Sequence, residues 1–258
     1  MSGGCSSVVL VRSFLLMVFI LVTKVAFAEV SALRAIVSDS NAPPYAIFDQ
    51  EGNLAGGISK DILDLLATRS ALNLQYLPIP RGRVEQWLSR NEADIACFLN
   101  PNWVEQSATL LWSPVLFTTR QVLIRRSNSP AIVRLTDLLG KRVGTDRGFN
   151  YPEFEAVFSQ RQIIRDDAIS LNSNLNRLQK LRLDAVLTVD LAFAYHQQQY
   201  DDKDLVADPL WTAADEVYCA INPNRPERAT RLQQLLQQMV ADGSIDNILQ
   251  RYKPQTKQ

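Results

Sequence analysis

The chain has 258 residues, of which 47% are hydrophobic, and its 27 basic residues balance its 27 acidic residues. This length suits one large domain or two ordinary ones. The balanced charge argues against a nucleic-acid partner, because such proteins carry an excess of basic residues.

The N-terminal segment has the pattern of a cleavable export signal. Arg12 supplies a positive flank, Ser13–Val22 is a short apolar run, and Ala26-Phe27-Ala28 is a small-x-small cleavage motif. The apolar run is short for a membrane span. We expect residues 1–28 to be removed and the mature chain to be periplasmic. A retained membrane anchor is the alternative, because Lys24 lies close to the cleavage motif.

Strands and helices alternate in the first part of the mature chain. Strands are predicted at Leu33–Val37, Leu72–Leu77 and Asp94–Leu99, from apolar runs or alternating apolar residues. The spacing of apolar residues predicts helices after Gly56-Gly57 and around Trp87. This alternation indicates a mostly parallel sheet with flanking helices.

The same plan follows a second time along the chain. A helix is predicted at Tyr151–Phe158, and a last strand at Val217–Ile221 is followed by two helices. The other strands predicted in this part are Val122–Ile124, Arg142–Gly144, Ile163–Arg165 and Asp184–Leu187. Two successive βα modules predict an α/β protein.

The segment after the strand at Arg142–Gly144 has the features of an anion site. Gly148 suits a tight turn, and Pro152 suits the first turn of a helix, where its missing N–H costs nothing. Unpaired backbone N–H groups and the helix dipole would favour an anion such as a carboxylate. An ordinary strand–helix connection without a ligand is the alternative.

Enzyme, cofactor and metal motifs are not apparent in the sequence. The single histidine, His196, has no second histidine or cysteine nearby, so we expect no metal site and a solvated histidine at a polar helix end. No Gly-x-Ser-x-Gly, P-loop or dinucleotide glycine pattern is present. We therefore expect a protein that is not an enzyme and uses no cofactor.

A series of short motifs covers nearly the whole mature chain. Their order and spacing resemble the bacterial extracellular solute-binding proteins of family 3, the amino-acid-binding type. The motifs include Pro43-Pro44-Tyr45, Gly56-Gly57, Pro80-Arg81, Glu92-Ala93-Asp94-Ile95, Trp112-Ser113-Pro114, Leu138–Gly144, Arg182–Val186 and Asp242-Gly243-Ser244-Ile245.

The resemblance implies a type II periplasmic binding protein fold, in which two α/β lobes are joined by two crossing strands. Lobe I would comprise residues 29–117 and 217–258, and lobe II would comprise residues 118–216. The ligand would lie in the cleft between the lobes, at the carboxyl ends of the strands. The resemblance also implies a monomer that binds a small molecule for an inner-membrane ABC permease.

The predicted ligand-binding residues follow the strand ends in this implied architecture. Aromatic residues among them could enclose an apolar or cationic group, whereas Phe98 is expected to belong to the core. The predicted set is Tyr45, Arg81, Asn100, Trp103, Arg147, Gly148, Phe149, Asn150, Tyr151 and Asp190.

Two positions depart from the amino-acid-binding pattern of the family. The arginine that clamps the ligand carboxylate falls on Gln106, and the carboxylate that holds the ammonium falls on Val189. We expect Arg81, Arg147 or Asp190 to replace them, with Arg147 binding an acidic group of the ligand. The ligand would then be a small polar or acidic, amino-acid-like solute.

Two other functions remain open at this point. A stand-alone periplasmic sensory module would use the same fold, and a cyclohexadienyl dehydratase-like enzyme would need a carboxylate in the cleft as proton donor.

The implied architecture also places the strands of Cys97 and Cys219 side by side, so we expect a disulfide. Two buried free thiols are the alternative.

Overall fold

The computed structural model describes residues 32–253. The export signal predicted at residues 1–28 lies outside this part. The strands are β1 (Leu33–Ile36), β2 (Ile47–Phe48), β3 (Leu54–Gly56), β4 (Leu74–Leu77), β5 (Ile95–Leu99), β6 (Leu111–Trp112), β7 (Phe117–Thr119), β8 (Gln121–Arg126), β9 (Arg142–Asp146), β10 (Ile164–Ala168), β11 (Ala185–Val189), β12 (Leu205–Pro209) and β13 (Asp215–Ile221).

The helices between these strands are mostly short. They are α1 (Ile58–Ser70), α2 (Val84–Ser89), α3 (Glu155–Ser159), α4 (Leu171–Gln179), α5 (Asp190–Tyr200), α6 (Pro226–Ala241) and α7 (Ser244–Gln250). Within residues 32–253, none of them combines the length and apolar character that crossing a membrane requires.

The first sheet contains strands from both ends of the described chain. Its order is β4-β1-β5-β13-β6, and β7 pairs with another part of β13. Strand β1 is parallel to β4 and β5, whereas β13 is antiparallel to β5. The chain therefore leaves this sheet and returns to its centre, as the discontinuous first lobe requires.

The second sheet is formed entirely by the intervening segment. Its order is β10-β9-β11-β8-β12, with β9 parallel to both β10 and β11. Strand β8 is antiparallel to β11 and β12. Sequence reasoning predicted all of these strands except β12, whose charged Asp208 and strand-breaking Pro209 interrupt its apolar pattern.

Two neighbouring strands carry the chain between the sheets. Strand β7 leads directly into β8, and β13 brings the chain back while pairing with β7 through Asp215 and Thr119. This arrangement confirms the predicted α/β fold with two crossings. The lobe boundaries predicted at residues 117/118 and 216/217 lie within these paired strands and stay a prediction.

Both sheets are buried on two faces, which explains their continuous apolar strands. In the first sheet, Ala35 and Ile36 of β1 pack into separate hydrophobic clusters. In the second, Leu123 and Ile124 of β8 do the same. Helices cover these faces, so the carboxyl ends of the strands are left to line the space between the lobes.

Cys97 of β5 and Cys219 of β13 are joined by a disulfide that spans 122 residues of sequence. The two residues are direct partners in the antiparallel pairing of these strands. The bond therefore fastens the returning strand to the centre of the first sheet.

The helix predicted at Tyr151–Phe158 is wrong at its start, because α3 begins at Glu155. Residues 147–154 form turns instead, in which the Phe154 N–H donates to the Tyr151 carbonyl. Pro152 lies in this turn region and does not begin the helix. The turn therefore does not lead directly into a helix N-terminus, although Gly148 does take the predicted turn conformation with φ +80°. Anion binding at this turn stays a prediction.

The prediction of a solvated His196 is also wrong. Its ring is buried, with Nδ1 3.0 Å from Asn172 Oδ1 and Nε2 2.8 Å from Asp202 Oδ2. Asp202 reaches the ring because the chain turns back after α5. Both ring nitrogens have partners, so the polar side chain is accommodated inside the fold.

Candidate functional site

A cavity lies between the two sheets, at the carboxyl ends of β1, β5, β9 and β11. Its volume is about 40 Å³. One water needs roughly 10–15 Å³ of such space, so the cavity has room for about three water-sized groups. The residues that line it are Ala42, Tyr45, Phe98, Trp103, Gln121, Asp146, Phe149, Asn150, Tyr151, Thr188 and Val189.

Stacked aromatic rings form one wall of the cavity. The rings of Tyr45 and Phe98 lie 3.9 Å apart, and Trp103 meets Phe98 edge-on at 5.9 Å. Phe98 is buried, as expected of a core residue, but it also lines the cavity. Its φ of +62° is uncommon for a bulky side chain and coincides with a register shift between β5 and β13. This irregularity lies at the strand end that borders the cavity.

Tyr45 connects the aromatic wall to the crossing strands. Its hydroxyl lies 3.0 Å from Thr119 Oγ1, and Thr119 in turn donates to Asp190 Oδ1 over 3.2 Å. Burial raises the pKa of Tyr45 above its ordinary value, so the phenol stays protonated. The hydroxyl is thus engaged, and the ring is what Tyr45 offers to the cavity.

Asp146 is the acidic residue of the cavity lining. The residue is only 7% exposed, and its Oδ1 has no hydrogen-bond partner. Burial raises the pKa of Asp146 to about 7, while Asn174 opposes the rise and the neighbouring charge of Asp167 adds to it. A buried carboxylate without a partner is costly, so the group is suited to pair with something that enters the cavity.

Gln121 contributes a second unpartnered oxygen at the crossing strand. Its Nε2 donates to Asp215 Oδ2 over 2.9 Å, which fixes the orientation of the amide. Its Oε1 is buried without a partner. The cavity therefore contains a carboxylate oxygen and an amide oxygen that are both free to accept hydrogen bonds.

Arg81 is buried beside the cavity, in an outer cleft that also contains Trp103, Gly148 and Asn150. Its Nη1 donates to the Phe98 carbonyl over 2.9 Å, whereas Nη2 has no partner. The guanidinium lies 4.8 Å from the centre of the Phe149 ring. Burial lowers the pKa of Arg81 to about 10, so it remains a cation at neutral pH.

The two lobes contact each other around this outer cleft. Asn150 of the second lobe donates to the Trp103 carbonyl of the first over 3.0 Å. A side chain at Gly148 would place its Cβ 2.8 Å from the Gly82 backbone nitrogen. The backbones approach this closely only because Gly148 has no side chain, so the structure has a closed cleft.

The predicted site residues fall into three groups. Tyr45, Trp103, Phe149, Asn150 and Tyr151 line the cavity, and Arg81 and Gly148 line the outer cleft. The others, Asn100, Arg147 and Asp190, do not line the cavity.

Each of the three residues outside the cavity has a local reason for its position. Asn100 accepts from the Asn102 N–H and donates to the Glu216 carbonyl. Asp190 begins α5 and is bonded to Thr119. Arg147 is exposed, and its backbone N–H donates to the Ala168 carbonyl.

Sequence reasoning missed Asp146, Gln121 and Thr188 as cavity residues. Asp146 and Thr188 each lie at or beside the carboxyl end of an apolar strand, which is a position where a polar residue could have been noticed. Gln121 lies in a crossing strand and has no such signal. Within residues 32–253, no group of three or more His, Cys, Asp or Glu side chains could hold a metal ion.

Comparison with known proteins identifies the family. The model of the bacterial extracellular solute-binding proteins, family 3, matches residues 35–255. The chain belongs to this family. No curated protein matches it in sequence.

Solved structures support the same fold for this family 3 protein. An ancestral arginine-binding protein bound to arginine has 18% identity and a TM-score of 0.74, over 86% of this chain and 98% of that one. The substrate-binding protein of an amino acid ABC transporter has 16% identity and a TM-score of 0.72, over 87% and 100%. A histidine kinase sensor domain with similarity to periplasmic binding proteins has 17% identity and a TM-score of 0.72, over 86% and 95%.

The two positions that depart from the amino-acid-binding pattern lie at the site of this solute-binding protein. Gln106 lines the outer cleft, and Val189 lines the cavity. Both positions are uncharged, while Arg81 and Asp146 provide charges nearby. The charge pattern of the cleft is therefore different from the one that the resemblance implies.

Proposed function

We propose that this family 3 protein captures a small amino-acid-like solute between its lobes in the periplasm and delivers it to an inner-membrane ABC permease. It would act as a monomer and without a cofactor. The observation that carries the proposal is the closed interlobe cavity, which combines aromatic walls with buried polar atoms that have no partner. Such atoms are costly unless a ligand satisfies them.

The acidic group of the solute would bind Arg81. This residue has a buried, unpartnered Nη2 and no ion pair among residues 32–253. Arg147, the residue that sequence reasoning favoured, is exposed. A charge-assisted hydrogen bond in a buried site is stronger than one at the surface, which favours Arg81.

The small cavity suggests that the lobes open to admit a solute. Two crossing strands are a typical hinge for such a transition. Closure around the solute would bring Gly148 against Gly82, as the structure has them. Binding would therefore be accompanied by a change in the overall size of the molecule.

A thermal-shift screen over amino acids, amines, organic acids and peptides tests the proposal. A solute at a hundredfold excess over Kd stabilises the folded chain by about 2.7 kcal/mol, which gives a clear shift. Small-angle scattering with the best solute should then show a smaller radius of gyration. The absence of any shift across the screen would contradict solute capture, and an unchanged radius at saturation would contradict closure.

A sensory module is the second candidate, and its support is the similarity to a histidine kinase sensor domain. Solute capture would be the same, but the closed form would signal to a partner. Loss of solute uptake by cells that lack the protein would favour transport. Normal uptake together with a lost transcriptional response would favour sensing.

A dehydratase-like enzyme would require a proton donor in the cleft, and Asp146 is a buried carboxyl group there. Purified protein incubated with arogenate or prephenate should leave both compounds unchanged by mass spectrometry if it only binds solutes. Conversion of either compound would favour the enzyme.

A further inference from the structure

We infer that the cavity receives a protonated amine, for which Asp146 is the counter-ion and the Gln121 amide oxygen is a second acceptor. This inference rests on the proposed solute-binding function and specifies the class of solute. The amine would be one end of a small ligand whose acidic end, where present, faces Arg81.

The buried cavity atoms that have no hydrogen-bond partner are all hydrogen-bond acceptors. Among the residues that the structure describes, the buried side-chain atoms that line it without a partner are Asp146 Oδ1 and Gln121 Oε1. Both are acceptors, and the bond from Gln121 to Asp215 fixes which end of the amide faces the cavity. A ligand group that carries N–H donors satisfies both oxygens, whereas a carboxylate or carbonyl group satisfies neither while Asp146 is ionised.

The aromatic wall favours a cation at the same place. The Tyr45 hydroxyl is engaged with Thr119, so this side chain presents its ring, and Phe98 stacks on it. Trp103 adds the side chain whose ring attracts cations most strongly, and the Arg81 guanidinium already lies 5.9 Å from its centre. A second cation beside this wall therefore needs the Asp146 carboxylate to offset the charge of Arg81.

The charges around Asp146 do not already neutralise it. Arg165 of β10 lies over the Tyr151 ring and is bonded to Asp167, the carboxylate on the neighbouring strand. Tyr151 uses its hydroxyl to accept from the Asp146 N–H. The other nearby cation, Arg81, is bonded to the Phe98 carbonyl. The Asp146 carboxylate thus has no cationic partner among residues 32–253, and an entering ammonium group would supply one.

The same conclusion explains the uncharged Val189. In the amino-acid-binding pattern of the family, the carboxylate for the ligand ammonium falls on this position. Here Val189 and Asp146 both line one cavity, from β11 and β9, which are neighbours in the second sheet. Compared with the pattern of the family, the carboxylate of this chain is on the adjacent strand, so the amine would lie in a different part of the cavity.

The test compares amine-bearing probes with probes that lack the amine. Methylamine, butylamine, L-alanine, L-glutamine, L-arginine and 4-aminobutanoate would be titrated calorimetrically, alongside propanoate and butanoate. We expect binding by at least one amine-bearing probe and none by the two acids. Asp146→Asn should weaken that binding by about 30-fold or more, because the counter-ion is lost while the shape is kept.

Asp166→Asn is the matched control. It removes the same charge from the neighbouring strand, where Asp166 pairs with Arg142 and Arg177 outside the cavity lining, and we expect affinity within about threefold of the original. Thermal unfolding of both variants without a probe establishes that they fold.

The pH dependence provides a second readout. Because the pKa of Asp146 is about 7 in the empty protein, affinity for the amine should be about tenfold lower at pH 6 than at pH 8.

Three outcomes would overturn the inference: binding of the acids only, equal binding of the amine by Asp146→Asn, or affinity that rises as pH falls. Failure of every compound in the wider screen would instead contradict the proposed function itself.

Discussion

Two buried aspartates, at opposite ends of the strands, are treated differently by this fold. Asp94 precedes β5, at the end of the first sheet away from the cleft, and Asp146 ends β9 at the cleft. Asp94 accepts two side-chain hydrogen bonds from Arg34 and lies within 3.4 Å of Arg228, whereas Asp146 Oδ1 has no partner. The same side chain thus stabilises the fold in one region and is left for a ligand in the other.

The pKa values follow this difference. Burial alone would raise the pKa of Asp94, but the hydrogen bonds from Arg34 outweigh it and hold the pKa below its ordinary value. Burial of Asp146 is opposed only by Asn174 and has no compensating cation, so it raises the pKa to about 7. A fully paired buried charge is therefore a sign of structure, and an unpaired one at a cavity indicates function.

The largest effect that we expect concerns the Cys97–Cys219 disulfide, which fastens the same region as Asp94. Reduction should lower the free energy of unfolding by about 4–5 kcal/mol in the chain-entropy model, since the bond closes a loop of more than a hundred residues. Urea unfolding with and without reductant measures this. Two thiols that react in denatured, unreduced protein would show that the bond is absent.

Removal of the Asp94 carboxylate should be nearly as costly. Asp94→Asn leaves Arg34 without its partner and should lower the free energy of unfolding by about 3–5 kcal/mol at pH 7. The stabilisation is present above the unfolded pKa and is lost as pH falls through the lower folded pKa, so the difference should shrink below about pH 4. The control is Asp201→Asn, which removes an exposed ion pair with Lys203 and should change stability by less than about 0.5 kcal/mol.

Asp146→Asn should change the free energy of unfolding in the opposite direction from Asp94→Asn. This is the sharpest contrast between the two regions. With the pKa of Asp146 raised to about 7 from 3.8, the folded state loses stability as pH rises between these values. Asp146→Asn should therefore raise the free energy of unfolding by about 1–3 kcal/mol at pH 8. The gain should shrink at pH 5. A variant less stable than the original at pH 8 would mean that the carboxylate has a partner.

Gly148→Ala should have the smallest effect of the four, and it acts on closure of the cleft. Its Cβ would lie 2.8 Å from the Gly82 nitrogen, so the closed form is disfavoured and solute affinity should fall by about tenfold. Gly140→Ala shares the positive φ but has open space around it. It should cost similar stability without changing affinity, as measured by calorimetry. Equal affinity in both variants would contradict the closed form as the binding form.

Sequence reasoning predicted most of the fold because buried strands and helix faces have regular apolar patterns. It also selected Tyr45 and Trp103, which line the cavity, since both lie near the ends of such strands. It was wrong where a partner distant in sequence decides the outcome. His196 is buried because Asn172 and Asp202 reach both of its nitrogens, and α3 begins late because residues 147–154 form turns instead of helix.

The choice of Arg147 over Arg81 shows the same limit. Both are cations near strand ends in the sequence, and only the packing of the two lobes makes Arg81 buried and leaves Arg147 exposed. Asp146 was overlooked for a related reason. Its significance is the missing partner, and this property cannot be derived from a linear pattern.

The central claim is that Asp146 is an unpaired acid that binds an amine. Carbon-detected nuclear magnetic resonance of its side-chain carboxyl group measures its pKa and tests this claim directly. Without solute, titration should give a pKa of about 7. With a saturating amine probe, the pKa should fall by about 1–3, because a nearby positive charge favours the ionised form. A pKa near 4 in the empty protein, or no change with the bound probe, would contradict the account.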